Sequence, residues 1–248
     1  MSEFPRYILL NTSPSFQEFD RPLLGYLSWY VSIARWSYIQ SPDEPSYLNN
    51  VLDLLHNYLS QSEEPVNLIG HGINGLVGLL YAHRHPDRVK SLVLLSVGSY
   101  PGVDWQSVYY AHLKMLPCSR RTILTHLAYS LFGQHDRVTI NGLVEKLETN
   151  LHDSPSPHSL WQHCSVPMSK PKVPLLICGG EHDVVASPRE LEGWRQWLGV
   201  NDQIWQCPNG RHFFQYSHPQ KVTQQIISFW LSITKEHPYV VTYPETAG

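Results

Sequence analysis

Short, mostly apolar runs alternate with amphipathic runs along much of the chain, and this alternation constrains the fold more than any other feature of the sequence. The apolar runs have the length and composition of buried strands. They are Arg6–Asn11, Tyr30–Trp36, Val66–Gly70, Val89–Val97, Val173–Gly180 and Gln203–Cys207. Leucines and valines at helical spacing lie between several of these runs, as from Leu48 to Leu59. Strands that alternate with helices predict an α/β fold with a mostly parallel sheet and helices on both faces.

The alternation stops between residues 100 and 172. Three amphipathic helical runs, Gln106–Leu116, Arg120–Phe132 and Val138–Leu151, replace it, and a segment rich in Ser, Pro and His follows them. Because predicted strands lie on both sides, this region is interpreted as a helical cap inserted into one α/β domain. The expected division is a core of residues 1–99 and 173–235, a cap of residues 100–172, and a C-terminal tail of residues 236–248.

Composition excludes several classes of function. The formal net charge is −3, so the chain lacks the basic footprint of a nucleic-acid-binding protein. The 14 histidines form no H-x-x-x-H or H-E-x-x-H pattern, and the four cysteines form no C-x-x-C pair. We therefore expect no metal site, no disulfide framework and no cofactor.

The N-terminal residues MSEFPRYILL lack the pattern of a signal peptide, and no apolar stretch reaches the length of about 18 residues that a spanning helix needs. The sequence therefore predicts a cytoplasmic protein without a membrane span. It does not indicate a protein partner. The aromatic content of 12% is high, and the excess suggests a pocket or an interface lined by aromatic side chains.

The turn after the third predicted strand admits two interpretations. Gly70, Gly72 and Gly75 spell G-x-G-x-x-G between a strand and a helix, as in dinucleotide-binding domains. That interpretation needs an acidic residue at the end of the next strand, where a ribose hydroxyl would bind. The next strand instead ends in Leu95-Ser96-Val97-Gly98, which disfavours a dinucleotide site.

The other interpretation rests on three stretches that occur in a fixed order. VNLIGHGINGLVGLLYAHRHPDRVKSLVLLS resembles the nucleophile elbow of the α/β-hydrolase superfamily, with its strand, helix and following strand. LLICGGEHDVVASP resembles the turn that delivers the acid of that superfamily, and NGRHFFQYSHPQKV resembles the loop that delivers its His. The resemblance covers the chain from Arg6 to about Ile233. It implies that Asp183 and His212 form an acid–base pair and that the cap covers them.

The chain departs from the superfamily at the elbow itself. Gly72 stands where the resemblance places the nucleophilic Ser, and Asn74 stands where it places a Gly. Because no Ser or Cys lies between Ile69 and Tyr81, a shifted register restores no nucleophile, and an acyl-enzyme is not expected. For the oxyanion hole, the resemblance implies the amide of Ile73 and a second donor near Thr12, where Asn11-Thr12 replaces the usual His-Gly.

Two functions remain open. The first is a non-hydrolytic member of the superfamily, a pseudoenzyme that binds a small apolar or aromatic ligand between cap and elbow. Its pocket would be lined by Asn11, His71, Trp105, Tyr109 and Phe213. The second is a hydrolase or lyase that acts on a small ester or carbonyl compound, with His212 as general base and no acyl-enzyme. Taken singly, Asp183 is better explained as a helix cap and His212 as a satisfied loop residue, and only the whole pattern favours a retained pair.

Overall fold

The computed structural model describes residues 4–39, 48–100, 102–154 and 169–234. At its centre lies a sheet of six parallel strands in the order β2-β1-β3-β4-β5-β6. The strands are β1 (Tyr7–Asn11), β2 (Ile33–Ser37), β3 (Val66–His71), β4 (Val89–Leu95), β5 (Leu175–Gly180) and β6 (Gln203–Cys207). The predicted fold class, a mostly parallel α/β sheet, is confirmed.

Helices surround the sheet, and no helix within the described ranges is long and apolar enough to cross a membrane. They are α1 (Arg21–Leu27), α2 (Leu48–Leu59), α3 (Ile73–Arg84), α4 (Trp105–Met115), α5 (Arg120–Phe132), α6 (Arg137–Asp153), α7 (Pro188–Glu192), α8 (Phe214–Ser217) and α9 (Pro219–Ile233). Short 3-10 helices span Pro14–Asp20, Pro86–Arg88 and Gly193–Trp197.

Both faces of the sheet are buried, which explains why its strands read as continuous apolar runs. Successive side chains of a strand point to opposite faces. In β4, Leu92 and Leu94 pack in one cluster with α2 and α3. Val93 and Leu95 pack in another with α1 and α9. The apolar positions of the central strands therefore contribute alternately to the two apolar layers.

The helices α4, α5 and α6 follow β4 and precede β5, where the sequence predicts an insertion. Each begins at a capping side chain, because Asp104, Ser119 and Asp136 accept hydrogen bonds from backbone amides of the first helical turn. Their apolar sides meet in a third cluster that also contains Phe16, Phe19 and Phe213. The predicted Ser/Pro/His segment (155–168) and the predicted tail (236–248) lie outside the described residues.

The segment from Pro14 to Leu27, between the first two predicted strands, is helical although Thr12-Ser13-Pro14 at its start is typical of a loop. It forms the first 3-10 helix and then α1. Proline is tolerated in the first turn of a helix because the missing N–H has no intrahelical partner there. The buried residues of this segment are Phe16, Phe19, Asp20, Leu23 and Leu27. This segment brings Asp20 to the site described below.

Substitution of Gly70 should reveal how closely β3 and α3 approach each other. A Cβ at Gly70 would lie 2.5 Å from backbone atoms of Asn74 and Gly75, so we expect Gly70→Ala to lower the free energy of unfolding by about 2 kcal/mol or more. As a matched control, Gly142 in α6 has no atom within 4 Å of an added Cβ. Gly142→Ala should be neutral or stabilising by about 0.5–1 kcal/mol. Urea denaturation measures both, and equal stability of the two variants would contradict the close approach.

Candidate functional site

The turn between β3 and α3 has a backbone conformation that suits glycine. Gly72 has φ 52° and ψ −120°, a region that residues with a Cβ rarely occupy. Its N–H donates to the Leu95 carbonyl at 2.9 Å, which ties the turn to β4. No atom lies within 4 Å of a Cβ built at Gly72. A side chain at this position would therefore extend into open space, and only the backbone conformation would oppose it.

Asp183 and His212 form a buried pair at the carboxyl end of the sheet. Asp183 follows β5, His212 follows β6, and the His212 Nδ1 lies 3.1 Å from both carboxylate oxygens of Asp183. The Asp183 Oδ1 also accepts from the amides of Val185 and Ala186, at 2.8 and 3.1 Å. Burial alone would raise the pKa of Asp183, but His212 and these donors lower it below its usual value. The carboxylate therefore stays ionised and orients the imidazole.

The backbone of His212 is fixed by two neighbouring side chains. Its carbonyl accepts from the Ser96 hydroxyl at 2.7 Å and from the His71 Nε2–H at 2.9 Å. Burial, and secondarily the neighbouring His212, lower the pKa of His71 to about 3. His71 is consequently neutral and serves as a positioning residue for His212. Ser96, with φ 53° directly after β4, was not singled out by the sequence.

The two backbone amides that follow β1 are already occupied by side chains. The Thr12 N–H donates to the Asn74 Oδ1 at 2.6 Å, and the Thr12 hydroxyl donates to the same oxygen at 2.8 Å. The Ser13 N–H donates to the Asn11 Oδ1 at 2.8 Å. The amide proposed as second oxyanion donor is thus bonded to the residue that replaces the expected glycine.

A cavity opens between the turn at Gly72 and the helices α4 and α6. Its volume is about 460 Å³, counting the open solvent at its mouth. The residues that line it are Ser13, Phe16, Asp20, His71, Gly72, Ile73, Asn74, Asp104, Trp105, Gln106, Asn150, Ser154, His212 and Phe213. Of the predicted site, the cavity therefore collects the elbow, His71, His212, Trp105 and Phe213. Since the Nδ1 of His212 is held by Asp183, its Nε2 is the ring nitrogen left for the cavity.

Besides Asp183, which holds His212 without lining the cavity, three predicted site residues do not line it. The side chain of Asn11 turns back onto its own loop, and Thr12 is bonded to Asn74 as described. Tyr109, predicted as a pocket residue, is fully buried among the helices α4, α5 and α6, and its hydroxyl accepts from the Arg120 Nε–H at 2.9 Å. It packs the inserted helices together, because its side of α4 faces α5.

Asp20 lines the cavity without having been predicted. Its side chain is 5% exposed, and its hydrogen-bond partner is the Gln215 amide, 3.4 Å from Oδ1. Burial raises the pKa of Asp20 to about 7, and Gln215 and Arg35 oppose this only partly. In the sequence, Asp20 is a single acidic residue between Phe19 and Arg21. This local pattern does not indicate a functional site.

The side of the cavity that α4 and α6 form is a polar network centred on Asn150 of α6. The Asn150 Oδ1 accepts from the Trp105 indole N–H at 2.9 Å, and its backbone carbonyl accepts from the Gln106 amide at 3.1 Å. The Asn150 amide donates to Ser15 and Ser154. These bonds tie α4 and α6 to the segment after β1. Across the described ranges, no group of three or more His, Cys, Asp or Glu side chains is arranged to hold a metal ion.

The fold and this site define a class. Solved structures with the same architecture are α/β-hydrolase fold proteins, among them the enol-lactonase from Burkholderia xenovorans, which superposes with a TM-score of 0.69 and 17% identity over 92% of each chain. The protein therefore has the α/β-hydrolase fold. No protein-family profile matches the chain.

The chain is 41% identical over 226 residues to the uncharacterized protein sll0249 of Synechocystis sp., covering 91% of this chain and 90% of the relative. It is 38% identical over 230 residues to the uncharacterized protein alr2406 of Nostoc sp., covering 93% and 92%. It belongs to the family that these two proteins represent.

Replacement of the Asp20 carboxyl should stabilise the protein in a pH-dependent way. An acid whose pKa rises from 3.8 to about 7 on folding makes stability fall as pH increases between these values, because the native state retains the proton more tightly. Asp20→Asn should therefore match the wild type near pH 4 and exceed it above pH 7, by up to about 4 kcal/mol. Urea denaturation at several pH values measures this.

Glu18→Gln serves as the control, because Glu18 lies in the same 3-10 helix and pairs at the surface with Lys146 at 3.0 Å. Loss of a surface ion pair changes stability by about 1 kcal/mol or less. A pH profile of Asp20→Asn parallel to that of the wild type would show that burial does not perturb Asp20.

Proposed function

We propose that this protein is a non-hydrolytic member of the α/β-hydrolase fold, a pseudoenzyme that binds a small ligand between the elbow turn and the inserted helices. The proposal rests on the presence of both Gly72 and Asn74 in the same turn and helix start. One position lacks a nucleophile, and the other places a carboxamide oxygen on the Thr12 amide.

The loss of a nucleophile alone is a large effect. Removing the nucleophile of a comparable serine hydrolase costs a factor of about 10⁶ in turnover. The turn at Gly72 has room for a side chain, so steric crowding does not account for glycine there. Glycine instead removes the strain that a Cβ would suffer at φ 52°, which favours stability over nucleophilic catalysis.

The occupied amide adds a second obstacle to acyl transfer. Oxyanion stabilisation needs donors that are free to meet the developing charge, and each such donor contributes a factor of about 10²–10³ in turnover. The Thr12 N–H and the Ser13 N–H are both bonded to side-chain oxygens. An oxyanion could accept from one of these amides only after displacing the side-chain oxygen of Asn74 or Asn11.

The proposed binding role includes a division into core and cap. Residues 1–99 and 173–235 would form the core and residues 100–172 the cap, because Trp105, Gln106 and Asn150 close the cavity from the opposite side to Gly72. Trp105 and Phe213 would contact the apolar part of a ligand. We also propose a cytoplasmic location, which the free thiols of Cys118, Cys178 and Cys207 support.

A second function is favoured by one observation, the intact Asp183–His212 pair. In this alternative, the His212 Nε2 accepts a proton from water, or from a carbon acid of the ligand, and Asp183 stabilises the resulting imidazolium. The open space above Gly72 would accommodate the water molecule. The reaction would be hydrolysis or a lyase-like step on a small ester or carbonyl compound, without an acyl-enzyme.

An esterase assay separates the two functions. With p-nitrophenyl acetate, we expect the wild type to show only background hydrolysis and His212→Ala to show the same rate, since no acyl-enzyme forms. Circular dichroism confirms that the variant is folded. Robust turnover that His212→Ala abolishes would refute the binding role and favour the general-base enzyme.

Reconstruction of the elbow tests the role of Asn74. Gly72→Ser should fold, with a strain cost of about 1–2 kcal/mol, but should gain little esterase activity while the Thr12 amide is occupied. Combining Gly72→Ser with Asn74→Gly should raise turnover about 10²-fold above the single variant. Asn74→Gly alone, as control, should remain at background. Equal activity of Gly72→Ser and the double variant would show that Asn74 does not block the oxyanion site.

A further inference from the structure

Two buried aspartates differ sharply in how their charge is compensated, namely Asp183, which pairs with His212, and Asp20, which lines the cavity. Asp183 is 3% exposed and accepts from the His212 imidazole and from two backbone amides at 2.8–3.1 Å. Asp20 is 5% exposed and, among the described residues, accepts one side-chain hydrogen bond, from the Gln215 amide at 3.4 Å. The other amide atom, Gln215 Oε1, is buried and has no hydrogen-bond partner in the described part of the chain. Buried polar groups are normally satisfied, so this corner lacks a donor.

The charge of the cavity wall points to the kind of donor that is missing. Among the described residues that line the cavity, there are two carboxyl groups, Asp20 and Asp104, and neither lysine nor arginine. His71 is held neutral by burial. An anionic ligand would meet carboxylates in a poorly solvated space, which is strongly unfavourable.

Aromatic side chains form another part of the cavity wall. Phe16, Trp105 and Phe213 line the same cavity as Asp20. The ring centroid of Phe16 lies 5.9 Å from that of Trp105 and 5.3 Å from that of Phe213. Aromatic faces attract organic cations through their quadrupole. Carboxylate and aromatic groups together form the type of environment that binds an alkylammonium or arylalkylammonium ion.

We infer that the ligand of this cavity is a small organic amine bound as its ammonium ion, with Asp20 as the anchoring carboxylate and the aromatic wall around its apolar part. The inference rests on the proposed ligand-binding role. It names Asp20, which lies outside the elbow, the oxyanion amides and the dyad, as the residue that determines specificity. The ammonium N–H groups donate to the Asp20 carboxylate.

Charged and titratable groups around Asp20 set the pH dependence of this binding. Gln215 of α8 and Arg35 of β2 stabilise the carboxylate, while burial opposes ionisation and raises the pKa of Asp20 to about 7. His212, His71 and Asp104 line the same cavity. Protonation of Asp20 removes the anchoring charge. Affinity for an ammonium ion should therefore fall as pH decreases through about 7.

Three probes with the same ring test the inference, namely benzylamine, benzyl alcohol and benzoate, titrated into the full-length protein by protein-observed NMR. We expect benzylamine to bind at millimolar concentrations, at least about tenfold more tightly than the alcohol, and benzoate not to bind. Asp20→Asn should reduce benzylamine affinity about tenfold and leave that of benzyl alcohol unchanged. Lowering the pH from about 8 to about 6 should reduce wild-type affinity up to tenfold, and less so in Asp20→Asn.

Glu18→Gln is the matched control, because it removes a carboxylate from the same 3-10 helix outside the cavity and should leave benzylamine binding unchanged. Equal binding of the three probes, wild-type affinity in Asp20→Asn, or no benzylamine binding would each overturn the inference. Failure of the proposed function has a different signature, which is ester turnover that depends on His212. An amine preference that persists alongside such turnover would describe substrate selectivity.

Discussion

The contact between β3 and the first turn of α3 is the constraint on which the site depends. At Gly70 the backbone of α3 approaches so closely that a methyl group would lie 2.5 Å from it. This approach forces the chain to reverse within one residue, and Gly72 takes the unusual backbone conformation that makes the reversal. The reversal puts His71 and Gly72 at the carboxyl end of the sheet, beside the loops after β5 and β6. The cavity exists because these three connections end at the same edge.

The second organising element is the carbonyl of His212. Ser96 and His71 both donate to it, while Asp183 holds the imidazole ring. Three connections of the sheet thereby fix one residue, with no help from a ligand. Such rigidity is needed for proton transfer, but it serves equally to give a binding cavity one fixed wall. The dyad geometry therefore does not by itself distinguish an enzyme from a binding protein.

The sequence predicted the sheet and the inserted helices because each leaves a local mark, whereas the Asp183–His212 pair was implied by the resemblance to the superfamily. Buried strands are apolar runs, helices are periodic, and the elbow has glycines at fixed spacing. It did not predict the helical segment after β1, because its prolines and polar residues resemble a loop. Asp20, Ser96 and Asn150 also went unnoticed, since their roles come from partners distant in the chain. Tyr109 was placed in the pocket because sequence spacing does not reveal which side of α4 faces α5.

The Asn74 side chain competes with any ligand for the Thr12 amide. A carboxamide attached to the first turn of α3 is present at the Thr12 amide at high effective concentration, as any tethered group is. A ligand carbonyl that approaches this amide must therefore displace a neighbour that is already in place. Ligands that would accept a hydrogen bond from this amide are therefore disfavoured. Recognition of a ligand then depends on side chains of the opposite wall of the cavity and not on backbone N–H groups.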